Sequence, residues 1–278
     1  MRLFGEDAAL LERAGADLPE LEALEEAIGR MVDDLPRAGS IDAHVHLGLD
    51  ADGHALDPEA LVADLDRWGI GAAVCFPTNE PGPGGQFAQA TAAILAAAAR
   101  EPGRIVPFCR LDPTAPGAHE TLAAAAEAGA RGLKLHPVAQ RFRPESAEAI
   151  ALVRDATERG WPVVIHAGYG ARPLADAIAA LVDAVPGARL VLAHAGRGDA
   201  RAIAARLAAW PSVLLDTSLA SLADLVALPP ERLCFGSDRP YGDHATALLL
   251  VRRAADLAGW TADDLAGVMG ANLRRRLA

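Results

Sequence analysis

The sequence predicts a closed (β/α)8 barrel, the TIM barrel of the α/β class, preceded by a helical extension. Three observations lead there. Eight short β-rich runs recur along the chain. The segments between them carry apolar residues at helical spacing, and successive runs start about 20 to 35 residues apart, the length of a βα unit. The 278 residues are also about what one such barrel needs.

Taken in order, residues 6–35 read as helix, with Leu21, Leu24, Ile28, Met31 and Leu35 on one face, expected to cover the barrel bottom or a subunit neighbour. The β-rich runs then follow at 40–46 (SIDAHVH), 69–77 (GIGAAVCFP), 104–113 (RIVPFCRLDP), 130–137 (ARGLKLHP), 162–168 (PVVIHAG), 189–196 (RLVLAHAG), 212–218 (SVLLDTS) and 233–240 (LCFGSDRP). Helices are expected between them, for example at 86–100, 145–159 and 172–184. Asp57 before Pro58, and Pro144 before the acidic stretch Glu145–Glu148, are helix-start signals. Residues 261–277 form a closing helix whose Arg274, Arg275 and Arg276 read as a solvated end that complements the helix dipole. No Gly-x-Gly-x-x-Gly turn follows the first run, which argues against an open dinucleotide-binding sheet. With no β-rich flanks for a second domain, residues 1–278 are expected to form one barrel domain: a helical extension (1–39), the barrel (40–240) and closing helices (241–278).

Composition narrows the function classes. Acidic residues outnumber basic ones 37 to 26, and a net charge of −11 opposes the phosphate neutralisation that nucleic-acid binding requires. No apolar run approaches the roughly 18 residues of a membrane span, and the start MRLFGEDAAL does not resemble a secretory signal. A cytoplasmic protein with a small-molecule substrate is the expectation. Cys75, Cys109 and Cys234 lie in apolar runs without disulfide or zinc-knuckle spacing, so they read as reduced core residues.

The chemistry is carried by the histidines. Of eight, five (His44, His46, His136, His166 and His194) fall at the C-terminal ends of β-rich runs, and Asp238 takes the same place on the last. This is the barrel rim, where side chains from several strands converge. His44 and His46 are two apart and so share one face of a strand. With His166 and Asp238 they offer three nitrogens and one carboxylate oxygen, a set that suits zinc or a similar divalent ion with a position left for water.

The motifs DAHVHLG, GLKLHP, VVIHAG, LAHAG and FGSDRP resemble, in order, the strand-end motifs of the amidohydrolase superfamily. The similarity is to its small-barrel branch of metal-dependent hydrolases, which includes the aminocarboxymuconate-semialdehyde decarboxylases. The resemblance implies that His44, His46, His166 and Asp238 ligate one divalent ion, with zinc expected and manganese or a binuclear site as alternatives. It also implies that His194 stands beside the metal-bound water or the substrate as acid, base or electrostatic partner, and that protomers pair.

On this reading the metal makes hydroxide available near neutral pH, and the second oxygen of Asp238 takes the water's proton. Hydrolysis of an amide, ester or lactone is the first expectation. Non-oxidative decarboxylation of a small carboxylated substrate is the alternative, and a catalytically silent metal- or ligand-binding barrel is the third.

Lys134 ends the fourth run on the same side as His136, so both should face the mouth. In binuclear members of the superfamily a lysine here is carboxylated and bridges two metals. An unmodified cation that holds a substrate carboxylate or polarises its carbonyl is expected instead, with His136 as either a substrate contact or a partner that supports a residue making one. The loops after runs four to eight hold Arg141, Arg143, Arg172, Arg197 and Arg239 against Asp199 and Asp243, together with the chain's two tyrosines, Tyr169 and Tyr241. These point to an anionic substrate, with Arg239, Tyr169 and Tyr241 as further contacts.

Overall fold

The computed structural model describes residues 2–78, 87–168, 174–197 and 199–277. Its strands follow the chain around a ring: β1 (Ile41–Leu49), β2 (Ala72–Pro77), β3 (Ile105–Pro107 and Cys109–Arg110), β4 (Leu133–Leu135), β5 (Pro162–Ile165), β6 (Arg189–Leu192), β7 (Leu214–Asp216) and β8 (Leu233–Cys234). Neighbours pair in parallel. In β3, Phe108 interrupts the ladder, yet its N–H still reaches the Cys75 carbonyl at 2.8 Å. The ring closes where the Ala43 N–H donates to the Phe235 carbonyl (2.8 Å), Asp238 N–H to His44 (2.9 Å) and His46 N–H to Arg239 (2.7 Å). The expected (β/α)8 barrel is thus the fold observed.

Helices cover the outside, and their ends follow local chemistry. Asp57 caps Pro58–Trp68 by accepting from the Ala60 N–H, and Gly69 ends that helix in the left-handed conformation, φ 65°. The helix expected from 145 begins at Ala147 with Ser146 as its cap, because the Ser146 hydroxyl, unlike Pro144, can accept from Ala149.

Side-chain alternation divides the apolar residues in two. Ile41, Ala43, Val74, Phe76, Phe108, Val164, Val191, Leu214 and Cys234 fill the barrel interior, and Leu273 of the terminal helix Asn272–Leu277 joins them. Between strands and helices lies the larger core, including Val45, Leu47, Cys109, Leu111, Leu133 and Leu135. The three cysteines are buried and free.

β1 changes sides partway along. Asp42 pairs with Ala73 but Val45 with Cys75, so β1 has one residue more than β2 between those points. A bulge of one residue reverses which side chains face inward. Ile41 and Ala43 point into the barrel before it; Val45 and Leu47 point outward after it, which leaves His44 and His46 facing in.

The helical extension departs from expectation. It holds a short antiparallel strand pair, Arg2–Leu3 with Glu6–Asp7, followed by two helices, Ala8–Arg13 and Leu18–Met31. Its buried stripe runs through Ile28, Val32 and Leu35, while Leu24 and Met31 are exposed. Leu18–Met31 packs on His244–Ala258 at the barrel's side, and Leu273 takes the plugging role instead. The terminal arginines are not merely solvated: Arg274 Nε donates to the Gly39 carbonyl (2.8 Å) and an Arg276 Nη to that of Pro211 (2.8 Å).

One buried clasp ties this layer to the barrel seam. Asp42 Oδ1 accepts from the N–H groups of His44 (2.9 Å) and Ser237 (3.0 Å), and Oδ2 from the Ser237 hydroxyl and His244 Nε2 (3.0 Å). His244 Nδ1 lies 2.9 Å from Asp64 Oδ2 on the helix Pro58–Trp68. Burial opposes charge on His244, but the bonds to both carboxylates outweigh it and push its pKa from 6.5 up to about 9. The folded state therefore binds a proton that the unfolded state releases above 6.5. The resulting stability, about 3 kcal/mol, is complete below pH 6.5, fades as pH rises and is gone above about 9. Urea unfolding across this range should show that loss in the wild type, and a His244→Gln variant should lack this pH-dependent part.

Candidate active site

Three acceptor atoms meet at the barrel mouth. His44 Nε2 and His46 Nε2 are 3.2 Å apart, and Asp238 Oδ1 lies 3.1 Å from the first and 3.3 Å from the second. The other ring nitrogens fix the tautomers. His44 Nδ1 is 2.7 Å from Asp216 Oδ2, and His46 Nδ1 is 3.2 Å from the Pro77 carbonyl. Facing acceptors, each Nδ1 carries the proton, so each Nε2 turns a lone pair toward the other and toward the carboxylate. Desolvation first, and then the charge of Lys134, hold both imidazoles neutral, with pKa values well below 6.5. Burial pushes the Asp238 carboxyl well above its ordinary range. Convergent lone pairs repel one another, and a divalent cation is the partner that such a donor set fits.

Lys134 reaches the same point, with Nζ 3.1 Å from His44 Nε2 and 4.4 Å from the centre of the Phe76 ring. It is fully buried, and desolvation brings its pKa down to about 7 against the opposing pull of Asp238 and Asp216.

His194 follows β6 in a tight 3-10 turn. Both it (φ 59°) and Ala195 (φ 52°) are left-handed, as is Asp238 (φ 62°), a strained backbone for residues with side chains. Gly168 is required beside it, since a Cβ there would come within 2.4 Å of His194 Cδ2. His194 Nδ1 lies 3.1 Å from the Ser218 carbonyl and 3.0 Å from its hydroxyl, and Nε2 lies 3.1 Å from His166 Nδ1. Ligand atoms of His44, His194 and Asp238 all fall within 4.8 Å of one another. His166 meets this group through His194, and its ring stacks on that of half-buried His136 at 3.9 Å.

Asp216 and Asp42 do much of the positioning, and the sequence reading passed over both. Besides His44, Asp216 accepts from the N–H groups of His194 (3.0 Å) and Ser218 (3.0 Å) and from the Ser218 hydroxyl. The signal was present: Asp216 ends β7 as Asp238 follows β8.

The arginine expectation needs correction. Arg239 is buried, but its Nε lies 3.0 Å from Asp64 Oδ2 and its Nη1 comes close to Gly5, so it points into the helical layer and not toward the histidines. Its carbonyl accepts from the His46 N–H in the β1–β8 seam, while its own N–H donates to the Ser237 hydroxyl at 3.3 Å. Arg143 pairs with Glu145 on the surface, Arg197 donates to the Leu219 carbonyl, and Arg141 is exposed. The Tyr241 hydroxyl donates to Asp50 while its ring stands edge-on to His46 at 5.1 Å. Tyr169 and Arg172 lie outside the described residues.

Comparison with known proteins adds the following. The family model described as Amidohydrolase matches residues 41–276. No curated protein matches the chain in sequence. Among solved structures it is similar to apo IDCase of Metarhizium anisopliae, at 18% identity over 86% of this chain and 96% of that one, TM-score 0.66. It is also similar to 2,6-dihydroxybenzoate decarboxylase from Rhizobium, at 14% identity over 86% and 98%, TM-score 0.66. A third is an amidohydrolase from Burkholderia multivorans with bound HEPES, at 20% identity over 86% and 98%, TM-score 0.66. At such identities the likeness is one of fold.

Asp216 can be tested directly. Asp216→Ala strands several buried donors at once and should destabilise the protein by about 3 kcal/mol in denaturant unfolding. Asp216→Asn, which offers one acceptor and one donor, should shift His44 toward the Nδ1-unprotonated tautomer, visible in its imidazole nitrogen chemical shifts.

Proposed function

Because the chain belongs to the amidohydrolase family, we propose that it is a metal-dependent enzyme that decarboxylates a small carboxylated substrate without oxidation. The observation that carries this reading is the meeting of His44 Nε2, His46 Nε2 and Asp238 Oδ1 within 3.3 Å, beside the buried amine of Lys134. These three residues would hold one divalent ion, with His166 completing the set, and the nitrogen-rich donors favour zinc. Once bound, the ion supplies Lewis-acid polarisation of a substrate oxygen. Decarboxylation is placed before hydrolysis because the Rhizobium relative described above is a 2,6-dihydroxybenzoate decarboxylase.

The chain's own residues supply the rest. His194, held by Ser218 and the Asp216-anchored turn and kept neutral by burial, relays to the substrate carbon a proton that it takes from solvent. The bond from that carbon to its carboxylate then breaks, its electron pair stays with the carbon, and carbon dioxide leaves. Lys134, with a pKa near 7, serves as an unmodified amine whose charge sits against the reacting atoms. A bridging carbamate would have to displace its contact with His44 Nε2. Hydrolysis of an amide, ester or lactone is the second reading. Asp238 favours it, since burial makes its carboxylate basic enough to take a proton from water.

Products decide between the two. Metal-loaded protein screened against carboxylated aromatics should release one carbon dioxide per turnover with no solvent oxygen in the organic product. Incorporation of heavy oxygen from labelled water without carbon dioxide release would establish hydrolysis instead. Elemental analysis should find one ion per chain, and Lys134→Ala should keep that ion while losing about a hundredfold in kcat. Two ions per chain and added mass on Lys134 would overturn the mononuclear assignment.

A further inference from the structure

Asp238 stands where the last strand has almost no ladder to hold it. β8 proper ends at Cys234, and beyond it one isolated bridge, Val45 to Arg239, joins the segment to β1. The backbone of Asp238 is left-handed, and a residue in that region keeps its direction only where its surroundings over-determine it. Its two chain neighbours carry the anchors. The Ser237 N–H and hydroxyl donate to Asp42, and Arg239 Nε lies 3.0 Å from Asp64 Oδ2.

These anchors meet. Asp42 Oδ2 is 3.0 Å from His244 Nε2, and His244 Nδ1 is 2.9 Å from the same Asp64 oxygen that faces Arg239. The side chains of Ser237, Asp42, His244, Asp64 and Arg239 therefore form a closed loop, and its last link is the backbone that carries Asp238. Carboxylate and cation alternate along it. Burial opposes charge on Asp64, but the hydrogen bond and charge of His244, and then the charge of Arg239, hold its pKa below the ordinary value. The loop also reaches His46, whose N–H donates to the Arg239 carbonyl at 2.7 Å.

Stability alone does not account for Arg239. Its side chain is 1% exposed, and its Nε and Nη1 are buried without a hydrogen bond, so the guanidinium bears its desolvation for the ion pair with Asp64. A buried ion pair is often no more stable than apolar residues that fill the same space. What it does supply is a fixed direction. Little room is left for another: a Cβ at Gly5 would fall 2.2 Å from Nη1. We propose that Arg239 is a positioning residue for the metal centre. Drawn to Asp64, it fixes the backbone between Asp238 and the carbonyl that holds His46, and so keeps Asp238 Oδ1 at 3.1 Å from His44 Nε2 and 3.3 Å from His46 Nε2. Its side chain acts from the helical layer, through the main chain, without touching either ligand. This rests on the metal-binding reading above.

Zinc titration in competition with a chromophoric chelator tests the role, with each variant held well below its own unfolding midpoint so that only folded protein is compared. Arg239→Met, which keeps bulk and loses charge, should bind zinc about tenfold to a hundredfold more weakly. Arg239→Lys, which keeps a charge opposite Asp64, should recover most of that loss. Cobalt(II)-loaded Arg239→Met should also show altered visible bands, since the direction of Asp238 enters the coordination geometry. A merely structural role would lower the unfolding midpoint and leave affinity and bands as in the wild type. That result would overturn the proposal, as would an Arg239→Lys variant as weak as Arg239→Met. If Arg239→Met does not fold, Asp64→Asn decides, because it removes the opposite charge from the outer helix; wild-type zinc affinity in that variant overturns the proposal. Wild-type protein that binds zinc beside unaffected variants defeats this proposal alone, whereas a wild-type chain that binds no divalent ion defeats the metal reading and this proposal with it.

Discussion

Three lone pairs aimed at one point, from His44, His46 and Asp238, are the constraint around which the rest of the mouth is arranged. Without protons between them these atoms repel, so the fold has to hold them together against their own electrostatics. It does so through the far side of each ring. Asp216 fixes His44 and the Pro77 carbonyl fixes His46, each by accepting the one proton the imidazole carries. Either ring, flipped to its other tautomer, would turn an N–H toward the carboxylate and destroy the arrangement. The outer partners thus decide what the inner atoms are.

Holding that geometry requires departures from regular structure. The bulge in β1 turns His44 and His46 inward, and left-handed backbone at His194 and Asp238 aims two more side chains at the same place. Strain of this kind persists where surrounding contacts over-determine it. Here Asp42 joins the seam between β1 and Ser237 and ties it through His244 to the helix Pro58–Trp68. Asp216 does the same between β7 and the His194 turn. Each carboxylate accepts four hydrogen bonds, and each stands at a junction between a ligand-bearing segment and its neighbour.

The barrel was legible because strand-sized β-rich runs and helical segments alternate without a break, and the rim histidines were legible because chemistry at strand ends is rare by chance. What the sequence hid was direction. Simple alternation in β1 places Ile41, Ala43 and Val45 on one face, and nothing local announces the extra residue that reverses it. Arg239 looked like a substrate contact because it adjoins Asp238, but the left-handed backbone at Asp238 separates their directions, and its side chain goes to Asp64. Leu24 and Met31 fit a helical stripe whose buried side is set by the helix His244–Ala258, a tertiary fact.

Net charge describes this molecule poorly where it matters. The chain carries −11 overall, yet its most deeply buried charged side chains include Arg110 and Lys134, gathered beside three neutral histidines. The mouth sets acceptors that call for a cation a few ångströms from the buried ammonium of Lys134, which calls for an anion. Within the protein, Lys134 partly answers the first by standing 3.1 Å from His44 Nε2, and Asp238 partly answers the second. An incoming metal would take over the role of Lys134 at the acceptors and draw on the charge of Asp238. That would leave Lys134 less compensated than before.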